Sequence, residues 1–497
     1  MTTGMLPYAC SASRARRCPK IKQLSWLHFR TGSARRSFST SLKWQISTSE
    51  MSEADLSSLK VKQGRLMSDI HYTCQWGTGA RWGKAPTETG MSRLALSDAD
   101  KQARDWFVET TKALGCHITI DSMGNIFAVR PGNRDGPPTF AGSHMDTQPT
   151  GGRYDGILGV TAAVEMLRVL QDNWVNTEYP VGIVNWTNEE GARFPISMVS
   201  SGVWAGKIPL ERAHSLQEAG GGRATMKSEL ERIGYLGSIP ASHENIPMAA
   251  HFELHIEQGP ILEQEKKKVG IVKGVQAYRW YTVEVTGRDT HTGTTPFSAR
   301  SDAILAASKM ILHSHRAATK MKALASTGIL TLTPGSTNTV PGSVKFSLDI
   351  RAPADETVQA MEDEIKDSFA LIASGADVGG LNQDGTQGKP CKVKFQTDSV
   401  SEATLFHEDC IRCVSDSAAS IFGPEALDLT KPMTSGAGHD SVFASKICPT
   451  SMIFIPCRDG VSHNPAEYSS PEDCAIGAQV LMGAVVRYDR LRHQREE

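Results

Sequence analysis

Strand and helix patterns alternate along the first half of the chain, and this alternation restricts the fold more than any other feature. Residues 94–115 have helical apolar spacing, with acidic residues in the first turn and Gly115 at the end. Strand patterns follow at 116–120, 125–129 and 139–146, then a helix pattern at 156–171 and a strand pattern at 179–186. Such alternation is typical of an α/β layer built on a mostly parallel sheet flanked by helices.

The pattern changes near Gly274. Residues 279–287 alternate with period two, and the following patterns run helix, strand, strand, helix, strand to about residue 395. This β-α-β-β-α-β order is the ferredoxin-like arrangement, so we predict a smaller α+β domain inserted into the first. A chain of 497 residues also exceeds the size of one hydrophobic core. The predicted division is 1–49 outside the fold, 50–273 and 398–497 for the main domain, and 274–397 for the inserted domain.

Composition excludes several classes of partner. The 53 Lys and Arg residues nearly balance the 54 Asp and Glu residues, so no binding surface for nucleic acid or for an acidic membrane is expected in the body of the chain. No apolar run reaches the ~20 residues of a membrane-spanning helix. The ten cysteines have no regular spacing, which indicates reduced thiols. Cys410 and Cys413 have CxxC spacing but lie in an amphipathic helix pattern, which predicts ordinary packing.

The first 49 residues depart from this balance. They are rich in Arg and Ser and contain no acidic residue before Glu50. This composition is typical of a mitochondrial transit peptide, and residues 36–41 resemble a two-step cleavage site. A disordered basic tail is the alternative. Both interpretations leave these residues out of the fold.

Five imidazole and carboxylate residues each stand in a polar, glycine-rich segment. They are His144 in GSHMD, Asp155 in YDGILG, Glu190 in TNEEGARF, His255 in ELHIEQGP and His463 in GVSHNP. Function collects at the carboxyl ends of strands in α/β sheets, where several of these segments are predicted to lie. Imidazoles and carboxylates without thiolates are the donors of open, water-activating Zn²⁺ or Mn²⁺ sites. Five donors suit two cations that share one carboxylate, which predicts a metal-dependent hydrolase.

Some of these carboxylates also have a simpler interpretation. Asp155 is the natural bridging carboxylate, yet turn and N-cap aspartates are equally common. Glu189 and Glu190 follow an apolar strand; Glu190 is a predicted ligand and Glu189 a predicted general base, unless the pair is a solvated loop tip. Asp146 lies two residues after His144 on the same strand face, so its carboxylate is predicted to accept the second ring N–H.

Eight segments resemble, in the same order, the hydantoinase/carbamoylase branch of the zinc-dependent amidohydrolase and aminoacylase/carboxypeptidase superfamily. Between about Arg81 and Leu481 they are MSRLALSDAD, GSHMDTQPTGGRYDGILG, TNEEGARF, ELHIEQGP, GVQAYRWYTVEVTGRDTHTGTTP, STNTVPGSVKFSLDIRAP, SGAGHDS and GVSHNPAEY. That branch contains N-carbamoyl-L-amino acid hydrolases, fungal-type β-ureidopropionases and allantoate amidohydrolases.

The resemblance implies two divalent cations, Zn²⁺ or Mn²⁺, bridged by the residue that matches Asp155. It implies that the remaining ligands are His144, Glu190, His255 and His463. Glu189 matches the acid/base of the branch. The inserted domain is expected to act as a lid and to form a homodimer in which the subunits complete each other's sites.

The same segments imply the substrate contacts. Arg351 is expected to clamp a substrate carboxylate with two parallel N–H groups. Asn338 and Gln258 offer amides for the carboxylate and the carbamoyl group, and His291 is expected to stabilise the oxyanion across the dimer interface. Considered alone, Arg351 would be a surface ion pair and His291 a loop histidine. His439 and Asp440, in SGAGHDS, are expected near the cations without an assigned role.

The expected reaction is hydrolysis of the ureido C–N bond of an N-carbamoyl amino acid. N-carbamoyl-β-alanine is the favoured small-molecule substrate, giving β-alanine, CO₂ and ammonia; allantoate and N-carbamoyl-L-α-amino acids are the alternatives. A dipeptidase or aminoacylase is disfavoured because exopeptidases of the superfamily usually have an acidic ligand at the position of His255. A non-catalytic binding protein would be expected to lose the base or a ligand, yet all six positions are present.

Overall fold

Strands and helices alternate along the described part of the chain, which is residues 46–381 and 388–496 of the computed structural model. In chain order the strands β1 to β20 are Ile46–Ser47, Thr78–Arg81, Thr89–Met91, His117–Ile120, Ile126–Arg130, Thr139–His144, Val175–Asn176, Val181–Trp186, Ala250–Ile256, Val269–Val275, Ala277–Thr286, Thr290–His291, Leu324–Ser326, Leu330–Thr333, Thr339–Val340, Ser343–Ala352, Lys392–Ser401, Thr404–Leu405, Thr430–Ser435 and Thr450–Ile455. The helices α1 to α14 are Glu53–Ser58, Gln63–Thr73, Asp98–Ala113, Ile157–Asp172, Val199–Trp204, Leu210–His214, Met226–Ile233, Ile261–Gln264, Ala303–Lys320, Asp355–Ser374, Glu408–Phe422, Ala426–Leu429, Asp440–Ala444 and Pro471–Glu496. None of these helices combines the length and the apolar character needed to cross a bilayer.

Within the described residues, a nine-stranded sheet has the order β18-β10-β20-β9-β6-β8-β5-β4, with β19 also paired to β10. Strands β20, β9, β6 and β8 run parallel to one another, whereas β10 and β5 flank them in antiparallel pairing. Every residue of the four parallel strands is buried, as expected where both faces of a sheet are covered. The predicted mostly parallel sheet is thus confirmed at its centre, and antiparallel strands extend it on both sides.

Alternate residues of these strands enter different apolar clusters on the two faces of the sheet. Ala141 on β6 and Ile183 on β8 pack in the larger cluster, which includes much of α4 and α14. Their neighbours Phe140 and Val184 pack in a second cluster with Trp204 of α5. The period-two alternation of a strand produces this division.

Helix α4 packs closely against the sheet and carries the preceding loop to the sheet's edge. Gly159, in its first turn, allows this approach, because a Cβ there would lie 2.6 Å from the Leu254 carbonyl oxygen and 2.8 Å from Ser143 Cβ. Gly156, which caps the helix, has a φ of 67°, a conformation that favours glycine.

A second sheet has the order β13-β16-β11-β17, with β14 also paired to β16. All of its pairs are antiparallel, and residues of α9 and α10 share its apolar cluster. The chain order β11, α9, β13 with β14, β16, α10, β17 is the predicted ferredoxin-like order. The fold class is therefore confirmed, whereas the division at residues 273 and 397 stays a prediction.

Residues 46–49 belong to the fold, although the sequence prediction excludes them. Strand β1 pairs in parallel with β7, and the Thr48 hydroxyl donates to Asp489 Oδ2 at 2.5 Å. The Ser47 and Ser49 hydroxyls both donate to Glu178. The prediction used composition, which carries no information about such distant contacts. The rest of the predicted transit peptide, residues 1–45, lies outside the described residues.

The CxxC pair lies on helix α11, as predicted. Cys410 and Cys413 are both buried and free. Burial raises the pKa of Cys413 to about 12, so its thiol remains protonated and packs as a small apolar group.

Candidate metal centre

The carboxyl ends of the parallel strands meet at one edge of the central sheet and bring the predicted residues together. His144 is the last residue of β6, and His255 is the penultimate residue of β9. Glu189 and Glu190 follow β8, and His463 lies in the loop after β20. Because these strands are parallel neighbours, residues more than 300 positions apart in sequence share one site.

Asp155 lies at the centre of this site. Its Oδ1 is 3.4 Å from His144 Nε2 and 3.2 Å from His255 Nε2. Its Oδ2 is 3.6 Å from His463 Nε2, which in turn is 3.3 Å from Glu190 Oε2. Two groups of potential ligands therefore share Asp155, and the ligand atoms in each group lie within 4.8 Å of one another. The carboxylate turns one oxygen to each group, which is the geometry required of a bridging ligand.

The two buried histidines turn their Nε2 atoms toward Asp155. The Nδ1–H of His144 donates to the Asp146 carbonyl oxygen at 2.9 Å, and the Nδ1–H of His255 donates to the Ile256 carbonyl oxygen at 2.9 Å. Because a carbonyl oxygen only accepts, each Nδ1 carries a proton, and Nε2 is the ring nitrogen that would bind a cation. These donors fit a divalent cation of the zinc or manganese type.

The role predicted for the Asp146 carboxylate needs correction. Its Oδ1 lies 3.9 Å from His144 Nδ1, beyond hydrogen-bond distance, and the main-chain carbonyl of the same residue accepts the ring N–H instead. The carboxylate accepts the main-chain N–H groups of Glu189 and Glu190 at 3.2 and 3.3 Å. Strand β6 ends at His144, so the strand alternation behind the prediction does not extend to Asp146. Asp146 therefore orients the loop that carries both glutamates.

The two glutamates point in different directions. Glu190 Oε2 accepts the Gln148 side-chain amide at 2.8 Å and faces His463. Glu189 Oε2 lies 3.6 Å from His144 Nε2, and Glu189 lies in neither of the two ligand groups that share Asp155. Glu189 also lines the cavity in front of the site. Its carboxylate is therefore available for proton transfer.

Burial and mutual repulsion perturb the carboxylates strongly. Burial, with a contribution from the Asp155 carboxylate, raises the pKa of Glu190 to about 8, and burial raises the pKa of Glu189 well above its ordinary value. Burial acts to raise the pKa of Asp155 as well, but His255 and His144 outweigh it and hold this pKa well below its usual range. Buried carboxylates of this kind need compensating positive charge, which divalent cations supply.

Several residues around the site have left-handed backbone conformations. Asn188, Gln258 and His463 have φ values of 58°, 58° and 53°. Asn188 is held there by its side-chain amide, which donates to the carbonyls of Phe194 and Ile196 at 3.0 and 3.1 Å. Such conformations cost ~1–3 kcal/mol each and are concentrated at functional sites, where surrounding contacts maintain them.

A cavity of about 210 Å³ opens in front of these residues. It is lined by Gln148, Asp155, Glu189, Glu190, Ser197, Met198, His255, Gln258, Tyr278, Trp280, Arg351, Ala437, Gly438, His439 and His463. Arg351 of β16 reaches it from the second sheet, with one N–H donated to the Gly436 carbonyl at 2.8 Å and its guanidinium 5.3 Å from the centre of the Tyr278 ring. Gln258 donates to Asp155 Oδ2 at 2.7 Å. Both predicted substrate contacts therefore lie at the cavity.

Two further predicted residues lie away from this cavity in the single chain. His291 of β12 is exposed, and its Nδ1 accepts the Gly293 N–H at 3.0 Å. Asn338 lies beside it, where its carbonyl accepts the Thr292 N–H at 3.1 Å. Neither residue is among those that line the cavity. Their roles across a dimer interface stay predictions.

His439 lies against the site, and Asp440 directly follows it. The His439 ring is 4.7 Å from that of His255, and burial, with a contribution from His255, lowers the pKa of His439 to about 3. The Asp440 carboxyl accepts the Ser201 hydroxyl. His439 is therefore neutral and lines the cavity.

Three residues of this site had no role in the sequence analysis. Gln148 holds Glu190, as described above. Ser462 donates to Asp155 Oδ2 at 3.0 Å. Glu467 Oε1 accepts the main-chain N–H groups of Tyr154 and Asp155 at 2.9 and 3.0 Å. All lie within segments that carry the predicted ligands, GSHMDTQP and GVSHNPAEY; spacing alone did not distinguish their contacts from those of ordinary loop residues.

Known proteins resemble the chain over most of its length. It is 38% identical over 400 residues to an N-carbamoyl-L-amino-acid amidohydrolase of Rhizobium meliloti, covering 80% of this chain and 91% of the relative. It is 33% identical over 410 residues to a ureidoglycolate hydrolase of Oryza sativa subsp. japonica, covering 80% of each. A crystal structure of a hydantoinase/carbamoylase family amidase from Burkholderia multivorans covers 87% of this chain and 99% of its own, with a TM-score of 0.77 and 39% identity.

The family comparison agrees with the architecture and with the donor set. Peptidase family M20/M25/M40 matches residues 140–487, which contain the central strands from β6 onward, the second sheet and all five predicted ligands. The solved relative covers 87% of this chain at 39% identity, which is above the level at which only the fold is shared. The chain belongs to peptidase family M20/M25/M40, in its hydantoinase/carbamoylase branch.

Proposed function

We propose that this chain hydrolyses the ureido C–N bond of an N-carbamoyl amino acid at a pair of divalent cations. Its family and its relatives, which are named amidohydrolases, make it a hydrolytic enzyme that acts on amide bonds. The observation that carries the proposal is the position of Asp155, whose two oxygens face two separate groups of imidazole and carboxylate donors. Zn²⁺ and Mn²⁺ both accept this donor set.

The side chains around the cavity supply the remaining chemistry. Bound cations of this type lower the pKa of water and polarise a carbonyl oxygen. Glu189 is then the base that takes a proton from the attacking water and delivers it to the leaving nitrogen. Its burial raises its pKa well above the ordinary value, so its carboxylate is a stronger base than that of an exposed glutamate. The products are the amino acid, CO₂ and ammonia.

Binding of the substrate carboxylate is assigned to Arg351. Arg351 lines the same cavity as residues of both ligand groups, and its guanidinium offers planar N–H pairs that match a carboxylate. In the described structure Asp349 accepts from Arg351 at 2.8 Å, so a substrate carboxylate would have to share or displace that contact. Gln258 is assigned to the carbamoyl group, since one of its amide atoms, Oε1, is buried with no hydrogen-bond partner among the described residues.

A homodimer is proposed as the working unit. The edge of the second sheet carries exposed apolar residues on and next to β13 and β14, namely Leu324, Ile329, Leu330 and Leu332. An exposed apolar sheet edge is a natural site for pairing with another chain. Assembly there would involve the domain that carries His291 and Asn338, which is compatible with a site completed by both subunits.

The remaining alternative functions differ in the substrate that each would hydrolyse. The resemblance in sequence favours N-carbamoyl-β-alanine, which would assign the enzyme to pyrimidine catabolism, with allantoate as an alternative. The names of relatives, N-carbamoyl-L-amino-acid amidohydrolase and ureidoglycolate hydrolase, support N-carbamoyl-L-α-amino acids or a ureidoglycolate-type substrate equally well. The cavity adjoins a wider cleft of about 770 Å³ and shares Ser197, Met198, Tyr278 and Trp280 with it. A β-alanine derivative has no side chain to occupy that cleft, whereas an L-α-amino acid derivative has one.

Ammonia release provides the test of this proposal. Metal-depleted enzyme would be assayed with N-carbamoyl-β-alanine, N-carbamoyl-L-methionine and allantoate, before and after addition of Zn²⁺ or Mn²⁺. We expect no release without cations and release from at least one ureido substrate with them; the highest kcat/KM identifies the substrate class. Full activity in the metal-depleted enzyme would refute the proposal.

Mitochondrial import is a separate proposal, tested by the location of a fluorescent fusion with and without residues 1–45.

A further inference from the structure

We propose that Glu467 is a positioning residue that fixes the Asp155 carboxylate and thereby sets the affinity of both cation positions together. The inference rests on the proposed function, because it concerns the same pair of cations. Asp155 is the residue that the two ligand groups share. A group that orients Asp155 therefore acts on both positions, whereas a group that orients another ligand acts on one.

Glu467 holds the peptide that carries Asp155. It is 2% exposed, and its Oε1 accepts the N–H groups of both Tyr154 and Asp155 at 2.9 and 3.0 Å. Two bonds to consecutive N–H groups fix the direction of the main chain just before Gly156 and helix α4. Helix packing fixes the other side of this short segment, so the Cα–Cβ direction of Asp155 is determined from both ends.

A second path runs from Glu467 to the Asp155 carboxylate itself. The Ser462 hydroxyl lies 2.8 Å from Glu467 Oε2 and 3.0 Å from Asp155 Oδ2. That oxygen is the one that faces His463, and Ser462 precedes His463 in sequence. Glu467 thus connects to the main chain of Asp155, to its side chain and to the loop of a further ligand. Groups that orient ligands in this way typically change metal affinity ~10–100-fold when they are removed.

The glycine at position 152 offers a second way to displace Glu467. A Cβ at Gly152 would lie 2.3 Å from the Cβ and the Cδ of Glu467. Gly152 is absent from the glycines with positive φ, so its backbone conformation is one that alanine can adopt. The lack of a side chain at residue 152 is therefore required by the position of Glu467. Gly152→Ala displaces Glu467 while every carboxylate of the site remains in the protein.

Titration of the full-length, metal-depleted protein with Zn²⁺ alone tests the inference. Competition with a chromophoric chelator gives the two affinities, and circular dichroism verifies that each variant is folded. We expect Glu467→Ala to weaken both affinities by ~10–100-fold, and Gly152→Ala to do the same. Glu467→Gln should retain both Zn²⁺ affinities close to those of the wild type, because the amide oxygen of Gln can accept the same two N–H groups and its amide N–H can donate to Ser462. Gln148→Ala, the matched control, should weaken only the position that uses Glu190.

The outcomes separate this inference from the proposed function. If the wild type binds two Zn²⁺ ions and Glu467→Ala binds both with unchanged affinity, or loses only one, the positioning role is overturned and the proposed function stands. If Glu467→Ala does not fold, Gly152→Ala and Ser462→Ala replace it, and unchanged affinities in both overturn the role. A wild-type protein that binds no pair of Zn²⁺ ions would instead refute the metal centre itself.

Discussion

The replacement of Glu189 by Gln isolates the proposed proton transfer from metal binding. The substitution preserves size and burial but removes the basic oxygen. Glu189 lies in neither ligand group around Asp155 and is 3.6 Å from His144 Nε2, so the cation content should not change. Positioned general acid–base groups contribute ~10²–10⁴-fold to rate, which corresponds to about 3–5 kcal/mol in the barrier. We expect a value near the upper limit, because Asp155 and Glu190 are assigned to the cations and would not replace Glu189 as the base.

The assay is ammonia release under saturating substrate, with Zn²⁺ content measured on the same samples. Glu189→Gln should lower kcat by ~10²–10⁴-fold while KM and Zn²⁺ content stay close to wild type. Glu190→Gln is the matched control in the adjacent residue, and it should lower the Zn²⁺ content as well as kcat. A Glu189→Gln enzyme that retains more than about one tenth of wild-type kcat would refute the assignment. Loss of Zn²⁺ from that variant would show that Glu189 is itself a ligand.

Four further measurements examine other parts of the site. Gly156→Ala would put a methyl group 2.4 Å from His144 Cε1 at a φ of 67°, so competition titration should show weaker Zn²⁺ binding; unchanged affinity would contradict this. The pKa of Glu190 is raised from 4.5 to about 8 by burial and by Asp155, so only the unfolded state loses this proton between those values. The melting temperature of chelated protein should therefore fall as pH rises from 4.5 to 8, and added Zn²⁺ should remove this slope. Arg351→Lys should raise KM for the ureido carboxylate without changing Zn²⁺ content, because an ammonium cannot form the bidentate contact. Leu330→Asp should shift sedimentation from dimer to monomer; a dimeric variant would contradict the proposed interface.

The sequence predicted the fold class correctly because its signals are local. Period-two alternation marks the strands of both sheets, and helical spacing marks α3, α4 and α9 to α11. The order of these patterns distinguishes a parallel α/β sheet from a ferredoxin-like unit. These local patterns could not predict that residues 46–49 add a short strand beside Val175–Asn176, because that strand depends on contacts with residues more than 100 positions away.

The sequence predicted some residues of the candidate site but not others. A histidine or carboxylate at a strand end is a local signal, so His144, Glu190 and His255 could be selected before the structure was known. The Asp146 prediction was incorrect in detail, because it assumed that β6 continues past His144. Glu467 gave no such signal, since its contacts with Tyr154 and Asp155 join segments more than 300 positions apart.

The sequence by itself determined which donors are present and that several of them lie at the ends of strands. Residue types and periodicity are properties of a short stretch of chain, and they do not depend on tertiary contacts. Only the tertiary structure decided that Asp155 divides its two oxygens between two groups of ligands, and that Arg351 of the second sheet faces the same cavity. Those facts depend on strand order and on how helix α4 packs, which are set by burial of apolar residues distributed over the whole chain.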